Sequence, residues 1–278
     1  MNGVIFVDKK ENWTSRDVVN KISKIYQTKK VGHTGTLDPM ATGVLIICIG
    51  AYTKLVEELT NKEKEYIATM QLGIKTDTKD ITGTIIKEEQ VSFNEEEINN
   101  IFTNFPHEYI QIVPEYSAVK VNGKKLYEYQ REGIKIELPK RTVQIKELEL
   151  LKIENNYITF RTIVSKGTYI RSLIEDIATS LGTVATMTSL RRTKQGIISI
   201  NDCYNLEEIT SDTKLKTIDD LFTYPKVEVD ENIRKKIENG NKLSLKCSYE
   251  KVILTYNNNC IAIYQKDNLE YKMVFKVI

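Results

Sequence analysis

The chain has 278 residues, of which 41% are hydrophobic and 28% charged, a balance that excludes a disordered or fibrous protein. The net charge of +2 selects no partner by itself, but its distribution is uneven. Nine acids face two lysines between Asp77 and Glu115, and nine face three between Asn201 and Glu231, whereas eight lysines and arginines face four acids between Pro114 and Lys146 and six face two between Arg161 and Gln195. Two central basic blocks suit a face that meets a polyanion; charge alone equally suits solvated surface.

The first element in chain order is a helix: Thr14-Ser15-Arg16-Asp17 has the spacing of a capping box, and Val18, Val19, Ile22 and Ile25 follow on one apolar face. Val44 to Ile49 reads as a buried strand, short, β-branched and bounded by Gly43 and Gly50. It is also the longest apolar run. A membrane helix needs roughly 20 such residues, and Met1-Asn2-Gly3-Val4 does not open a charged and then apolar leader, so a cytoplasmic protein without membrane contact is expected. Asn94 and three glutamates open a second helix with Ile98, Ile101, Phe102 and Phe105 inward, ending at Pro106. Residues 143–153 and 157–165 form a hairpin about Asn155-Asn156. Arg171 to Leu181 repeats apolar residues at helical spacing and closes at Gly182.

A boundary is expected near Tyr224-Pro225. Beyond it Asp230 caps a short helix through Ile233 and Ile237, and Lys251–Tyr256, Cys260–Gln265 and Tyr271–Ile278 read as three strands. Some fifty residues make a marginal core, so residues 226–278 should be a small β module docked on a larger domain of residues 1–225. Strands and helices mix without a repeating βα unit, which favours an α+β fold. Four scattered cysteines (Cys48, Cys203, Cys247, Cys260) and only two histidines (His33, His107) assemble no zinc or disulfide framework.

The most unusual stretch is Gly32-His33-Thr34-Gly35-Thr36-Leu37-Asp38-Pro39-Met40-Ala41-Thr42-Gly43. It lacks the Gly-Lys-Ser/Thr of a phosphate loop, and His33 stands where an aspartyl-phosphate loop would carry its acid. What remains is a loop presenting Asp38, which Pro39 pushes out of helical geometry; from the residues alone, an acidic turn residue beside a proline explains it as well. Asp77 and Asp80 read as turn formers before Gly83, and Tyr127 and Tyr129 as packing residues. Ser165-Lys166-Gly167-Thr168-Tyr169-Ile170-Arg171-Ser172 leads into a helix. A tyrosine at such a start usually packs, whereas Arg171, at the positive end of the helix dipole, makes better sense with an anion opposite.

Four separated strings, in order, resemble one family. GHTGTLDPMATGVL at 32–45, KEY with LGIKTDTKDITG between Lys64 and Gly83, YSAVKVNGKKLYE at 116–128 and SKGTYIRSL at 165–173, followed by Leu190-Arg191-Arg192, are similar to bacterial TruB-family tRNA pseudouridine synthases. The likeness runs from about residue 3 to 200. It departs where the family has a second proline (Val113 here) and an alanine-arginine pair (Gln130-Arg131 here).

The resemblance implies a mixed, mostly antiparallel sheet with an RNA-gripping insertion at about 114–142, and a C-terminal module of PUA type. It implies isomerisation of uridine 55 in the tRNA T arm. Asp38 becomes the catalytic aspartate and Arg171 its ion-pair partner. Tyr66, counted with Asp38 and Arg171 among the catalytic residues, flanks the flipped uracil with Tyr169; Leu190 lines the pocket, His33 contacts RNA, and Lys120 grips it from the insertion.

The chemistry suits these residue types. A C–N glycosidic bond is exchanged for a C–C bond without net redox change, so no cofactor or metal is expected. A carboxylate can attack ribose C1′, attack the uracil ring or act as a base, and the sequence leaves all three open. An ionised Asp38 beneath a stacked base needs a cation beside it, and Arg171 supplies one. The base must leave its stack, and an aromatic wall recovers roughly 1–3 kcal/mol of that cost. The expected partner is the tRNA T arm, met by a monomer without guide RNA. Two rivals stand beside this reading: a guide-RNA-dependent synthase and a tRNA-folding chaperone in which catalysis is secondary.

Overall fold

The strands Gly3–Lys9 and Thr42–Ile49 pair antiparallel and are apolar on both faces because both faces are covered. Ile5, Val7, Leu45 and Ile47 meet the helix Ser15–Ile25, while Val4, Phe6, Val44 and Ile46 meet a second layer contributed partly by the end of the chain. The computed structural model describes residues 1–277. The helix Ser15–Ile25 starts as its capping box requires: the Thr14 hydroxyl accepts from the Asp17 N–H at 3.1 Å, and the Asp17 carboxylate accepts from the Thr14 N–H at 2.9 Å.

These strands belong to a ten-stranded sheet. Its main path runs Tyr204–Asn205, Gly3–Lys9, Thr42–Ile49, Ala185–Gln195, Lys64–Leu72, Tyr157–Val164, Lys140–Glu154 and Glu108–Ile112. Only two pairings are parallel, those of Gly3–Lys9 with Tyr204–Asn205 and of Thr42–Ile49 with Ala185–Gln195. The fold is therefore α+β on a mixed, mostly antiparallel sheet. The hairpin turns at Asn155, whose φ of 55° is a conformation asparagine tolerates, and its first strand begins at Lys140, three residues before the expected start.

Helices Glu95–Asn104 and Ile170–Ser180 cover one face of the sheet, placing Ile98, Phe102, Leu173, Ile174 and Ile177 on Met70 and Phe160. Phe102 meets Phe160 edge to face at 5.6 Å. Leu37, Met40, Ala41, Tyr66 and Leu190 belong to the same cluster, so the loop carrying Asp38 is anchored in the main core.

Beyond Pro225 there are four strands rather than three. Lys226–Glu228 pairs parallel with Lys251–Tyr256, which continues antiparallel to Asn259–Asp267 and Glu270–Lys276. A three-residue Lys-Val-Glu strand is too short to announce itself by alternation. The last strand was expected to reach Ile278, which lies outside the described residues. One face of this small sheet meets the Asp230-capped helix Glu231–Glu238 through Ile237, Val252, Leu254 and Tyr264. The other face sends Ile253, Ile263 and Phe275 into the cluster of Val4, Phe6, Val44 and Tyr52. Phe275 meets Tyr52 at 5.0 Å, and Lys251 meets Glu58 at 2.7 Å. No helix among the described residues is long and apolar enough to cross a membrane.

Candidate active site

The loop between Thr34 and Ala41 is held from several sides. Ser15 receives the Leu37 N–H at 2.9 Å and donates its hydroxyl to the Leu37 carbonyl at 3.2 Å. The Asn12 N–H and the buried Lys9 ammonium both reach the Pro39 carbonyl, at 2.9 and 3.1 Å. Gly43 ends the loop with φ 105° because the Ala185–Gln195 strand passes so close that a Cβ would lie 2.2 Å from the Arg192 carbonyl oxygen. The chain is thus fixed before and after Asp38.

Arg171, at the first turn of the helix Ile170–Ser180, spans the Asp38 carboxylate with two nitrogens, Nε to Oδ2 at 3.0 Å and Nη2 to Oδ1 at 3.2 Å. Its other donor bonds go to the carbonyls of Thr78 and Tyr116, both at 3.0 Å, and Asp80 lies 4.0 Å from Nη1. The Arg171 side chain is 6% exposed, and four oxygens at 3.0–3.2 Å fix its plane. Asp80 does form the expected turn, accepting from the Thr82 N–H at 3.0 Å, and the same turn brings its charge to the arginine. Burial pushes the Asp38 carboxyl above its ordinary range; Arg171 and Lys9 oppose the rise, and Asp80 adds to it.

Asp38 and Arg171 open onto a cavity of about 420 Å³. Tyr66 from the Lys64–Leu72 strand, Tyr169 from the start of the helix and Leu190 from Ala185–Gln195 line it as well. The volume suits one nucleoside-sized guest, and two rings with a leucine offer the apolar surface a planar base requires. The Tyr169 N–H is bonded by the Gln111 side chain at 2.8 Å, which fixes the start of that helix.

His33 and Lys120 are not among the lining residues. His33 accepts from the Gly35 N–H at 3.4 Å, and burial beside Arg192 and Arg16 lowers its pKa, favouring the neutral ring. Lys120 stands exposed on a ribbon formed by Lys120–Val121 and Lys124–Lys125. Tyr129 packs against this ribbon, its hydroxyl donating to the Val121 carbonyl at 3.0 Å. Tyr127 departs from expectation and lines the cavity, because the short helix Leu126–Arg131 turns it back toward Ser117 and Ala118. Lys64 and Arg192 also line the cavity, a placement that sequence spacing does not reveal.

Residues 23–170 match the TruB family pseudouridylate synthase (N terminal domain). The chain belongs to the TruB pseudouridylate synthase family. Residues 171–223 match the tRNA pseudouridylate synthase B C-terminal domain, although in the fold the strand Ala185–Gln195 lies inside the main sheet. The tRNA pseudouridine synthase B of Clostridium tetani is 46% identical over 96% of this chain and 93% of its own length. That of Caldicellulosiruptor saccharolyticus is 41% identical over 100% and 99%. Among solved structures, a Cbf5-Nop10-Gar1 complex aligns with TM-score 0.72 and 25% identity over 99% of this chain and 85% of that one. An H/ACA RNP bound to a substrate RNA containing 2′-deoxyuridine aligns with TM-score 0.71 and 24% identity, covering 99% and 84%, which is a likeness of fold. The Asp38 cavity draws on both matched regions, with Asp38, Tyr66 and Tyr169 in the first and Arg171, Leu190 and Arg192 in the second.

Proposed function

We propose that this chain converts uridine 55 in the T arm of tRNA to pseudouridine with Asp38 as the catalytic group. The observation that carries the reading is the buried Asp38–Arg171 pair at a nucleoside-sized cavity walled by Tyr66, Tyr169 and Leu190. Relatives named tRNA pseudouridine synthase B over nearly the whole chain support tRNA as the substrate.

The reaction breaks the N1–C1′ bond of uridine and forms a C5–C1′ bond; the proton lost from C5 is balanced by one gained at N1. A carboxylate that attacks C1′, attacks the ring or abstracts a proton must be ionised in every case, and Arg171 favours that form while fixing both oxygens. Tyr66 and Tyr169 receive the extruded base, and Leu190 excludes water from its edge. His33 and Lys120 stand outside the cavity in this reading and meet the RNA around it. Residues 1–225 then carry catalysis and the insertion at about 114–142 grips RNA. Residues 226–278 form the PUA-like module of a cytoplasmic monomer.

A second reading is an enzyme that needs a guide RNA; its fold would be no different, since a chain of the H/ACA RNP shares it. Incubating the purified chain alone with unmodified tRNA and with an isolated T-arm stem-loop, then mapping pseudouridine, decides between them. Product at a single T-loop uridine without a second RNA is expected; product only after a guide is added gives the answer to the rival.

A further inference from the structure

On one side of the cavity two cations stand together without an acid to balance them. Arg192 is 1% exposed and Lys64 8%, both line the Asp38 cavity, and neither has a carboxylate within 4.0 Å among the described residues. Asp38 is engaged by Arg171, and Glu65 leaves the opposite face of its strand to bind Arg161 at 2.8 Å. Burial, with Arg192 and Lys166 near, pulls the Lys64 ammonium down to about 7. A buried charge that lacks a counter-charge ordinarily costs several kcal/mol, so such a pair is a feature folding alone would not favour.

Carbonyl groups satisfy only part of their bonding capacity. Arg192 donates Nε to the Val44 carbonyl at 2.6 Å and Nη2 to the Gly35 carbonyl at 3.1 Å. Lys64 donates to the carbonyls of Thr60 and Lys62 at 2.7 and 2.8 Å. Nη1 of Arg192 and one ammonium proton of Lys64 have no acceptor among the described residues. Both side chains converge under Gly35: a Cβ there would lie 3.5 Å from Arg192 Nη1 and 3.7 Å from Lys64 Cε. Glycine, at φ 142°, leaves open the space in which the two cations meet.

We propose that Lys64 and Arg192 form a phosphate subsite that takes the phosphodiester attached to the nucleotide entering the cavity. The proposal rests on the pseudouridine synthase reading. A uracil carbonyl, being neutral, leaves the Arg192 charge uncompensated and does not hold the proton that burial loosens on Lys64, whereas a phosphodiester, the anion every RNA strand brings with it, compensates the one and holds the other. Arg192 contributes a fixed planar donor and Lys64 a point charge, a pairing suited to non-bridging phosphate oxygens. Binding there sets the position of the ribose relative to Asp38, so Lys64 is a positioning residue in this account.

The test uses T-arm stem-loops carrying one neutral methylphosphonate linkage, either 5′ or 3′ of the target uridine, beside the unmodified stem-loop. Wild type is expected to lose roughly 10- to 100-fold in affinity for one of the two, the scale of a charge-assisted hydrogen bond. Lys64→Gln should bind unmodified RNA about as weakly as wild type binds that neutralised RNA, with little further loss when the two changes are combined. Lys64→Arg, keeping the charge, should restore the sensitivity. Losses that multiply in the combination, or a wild type indifferent to both neutral linkages, overturn the subsite. Thermal unfolding of each variant separates a folding defect from lost contact. Pseudouridine formation on unmodified RNA is read separately, so a wild type that binds with this linkage dependence but makes no product would sink the synthase reading and leave the phosphate site standing.

Discussion

Arg171 approaches Asp38 side-on, with Nε 3.0 Å from Oδ2 and Nη2 3.2 Å from Oδ1, and spends its remaining bonds on the Thr78 and Tyr116 carbonyls. The arginine therefore ties two other segments, the turn before Gly83 and the stretch at Tyr116, to the loop of Asp38. A charge with fewer or differently directed donors cannot make all of these bonds.

Arg171→Lys is accordingly expected to lower single-turnover pseudouridine formation roughly 30- to 100-fold, the equivalent of about 2–3 kcal/mol for lost charge-assisted bonds in a buried site. The charge is retained but the fork is not. Rates measured at saturating enzyme on a T-arm stem-loop check this, and a near-normal rate would remove the ion pair from the mechanism.

Lys120 makes no ion pair among the described residues, whereas Lys124 is bonded to Glu132 and lies over the Tyr129 ring at 4.9 Å. Lys120→Glu should therefore weaken RNA binding at low salt and reduce the logarithmic salt slope by about 0.7, one phosphate contact on a single strand. Binding titrations at several salt concentrations give the slope. An unaltered slope would place the insertion away from the RNA backbone.

Phe275→Ala tests whether the C-terminal sheet is an independent body. Phe275 is 1% exposed and shares a cluster with Val4, Phe6 and Val44, so truncation opens a void in a core common to both ends of the chain. A loss of about 3–5 kcal/mol is expected, with both parts unfolding in one denaturant transition. A separate early transition, leaving the main sheet intact, would show that the shared cluster does not couple them.

The stability of the free protein should rise between about pH 6.5 and about pH 8.5. Burial lowers Lys64 to about 7 and Lys9 to about 8, whereas an unfolded chain keeps protons on both lysines to about pH 10. The unfolded state therefore binds more protons across this window, and unfolding becomes harder as pH rises, by at most about 1.4 kcal/mol per pH unit for each proton. Urea midpoints across the window measure the slope, and Lys64→Met should flatten it. A slope of opposite sign would show that these ammonium groups keep their protons in the fold.

Much of this site was legible before the fold was known, because the strings around Asp38, Tyr66, Tyr169, Arg171 and Leu190 resemble one family and all five residues line one cavity. The fold class followed from mixed elements without a βα repeat. Sheet register escaped: Arg192 lies opposite Tyr66, and Gln195 opposite Lys64, across a bulge that no spacing rule predicts. Tertiary packing then places Lys64 and Arg192 under Gly35. Asp80 forms the turn its sequence suggests, but its approach to Arg171 depends on a contact across 91 residues of sequence. The strand Lys226–Glu228 was missed because three residues show no alternation, and its partner lies beyond an intervening helix.

Asp38→Asn should eliminate pseudouridine formation, by at least roughly 10⁴-fold, the scale on which removal of a nucleophile acts. The amide keeps the size of the carboxylate, and its oxygen still accepts one Arg171 bond. Its NH2 group faces the second Arg171 donor instead of accepting from it, so one bond is lost. Arg171 remains held by Thr78 and Tyr116, and the loop keeps its bonds through Leu37 and Pro39, so the cavity and the surfaces around it persist. Affinity for tRNA is therefore expected to stay within a few-fold of wild type, and any RNA-folding activity that uses binding alone should survive. Pseudouridine per tRNA after a long single-turnover incubation, beside a filter-binding titration at the same salt, reads the two effects independently. Undiminished product would mean that another residue performs the chemistry. Joint loss of product and binding would make Asp38 a structural member of its loop, since a group that only reacts has no reason to hold the RNA.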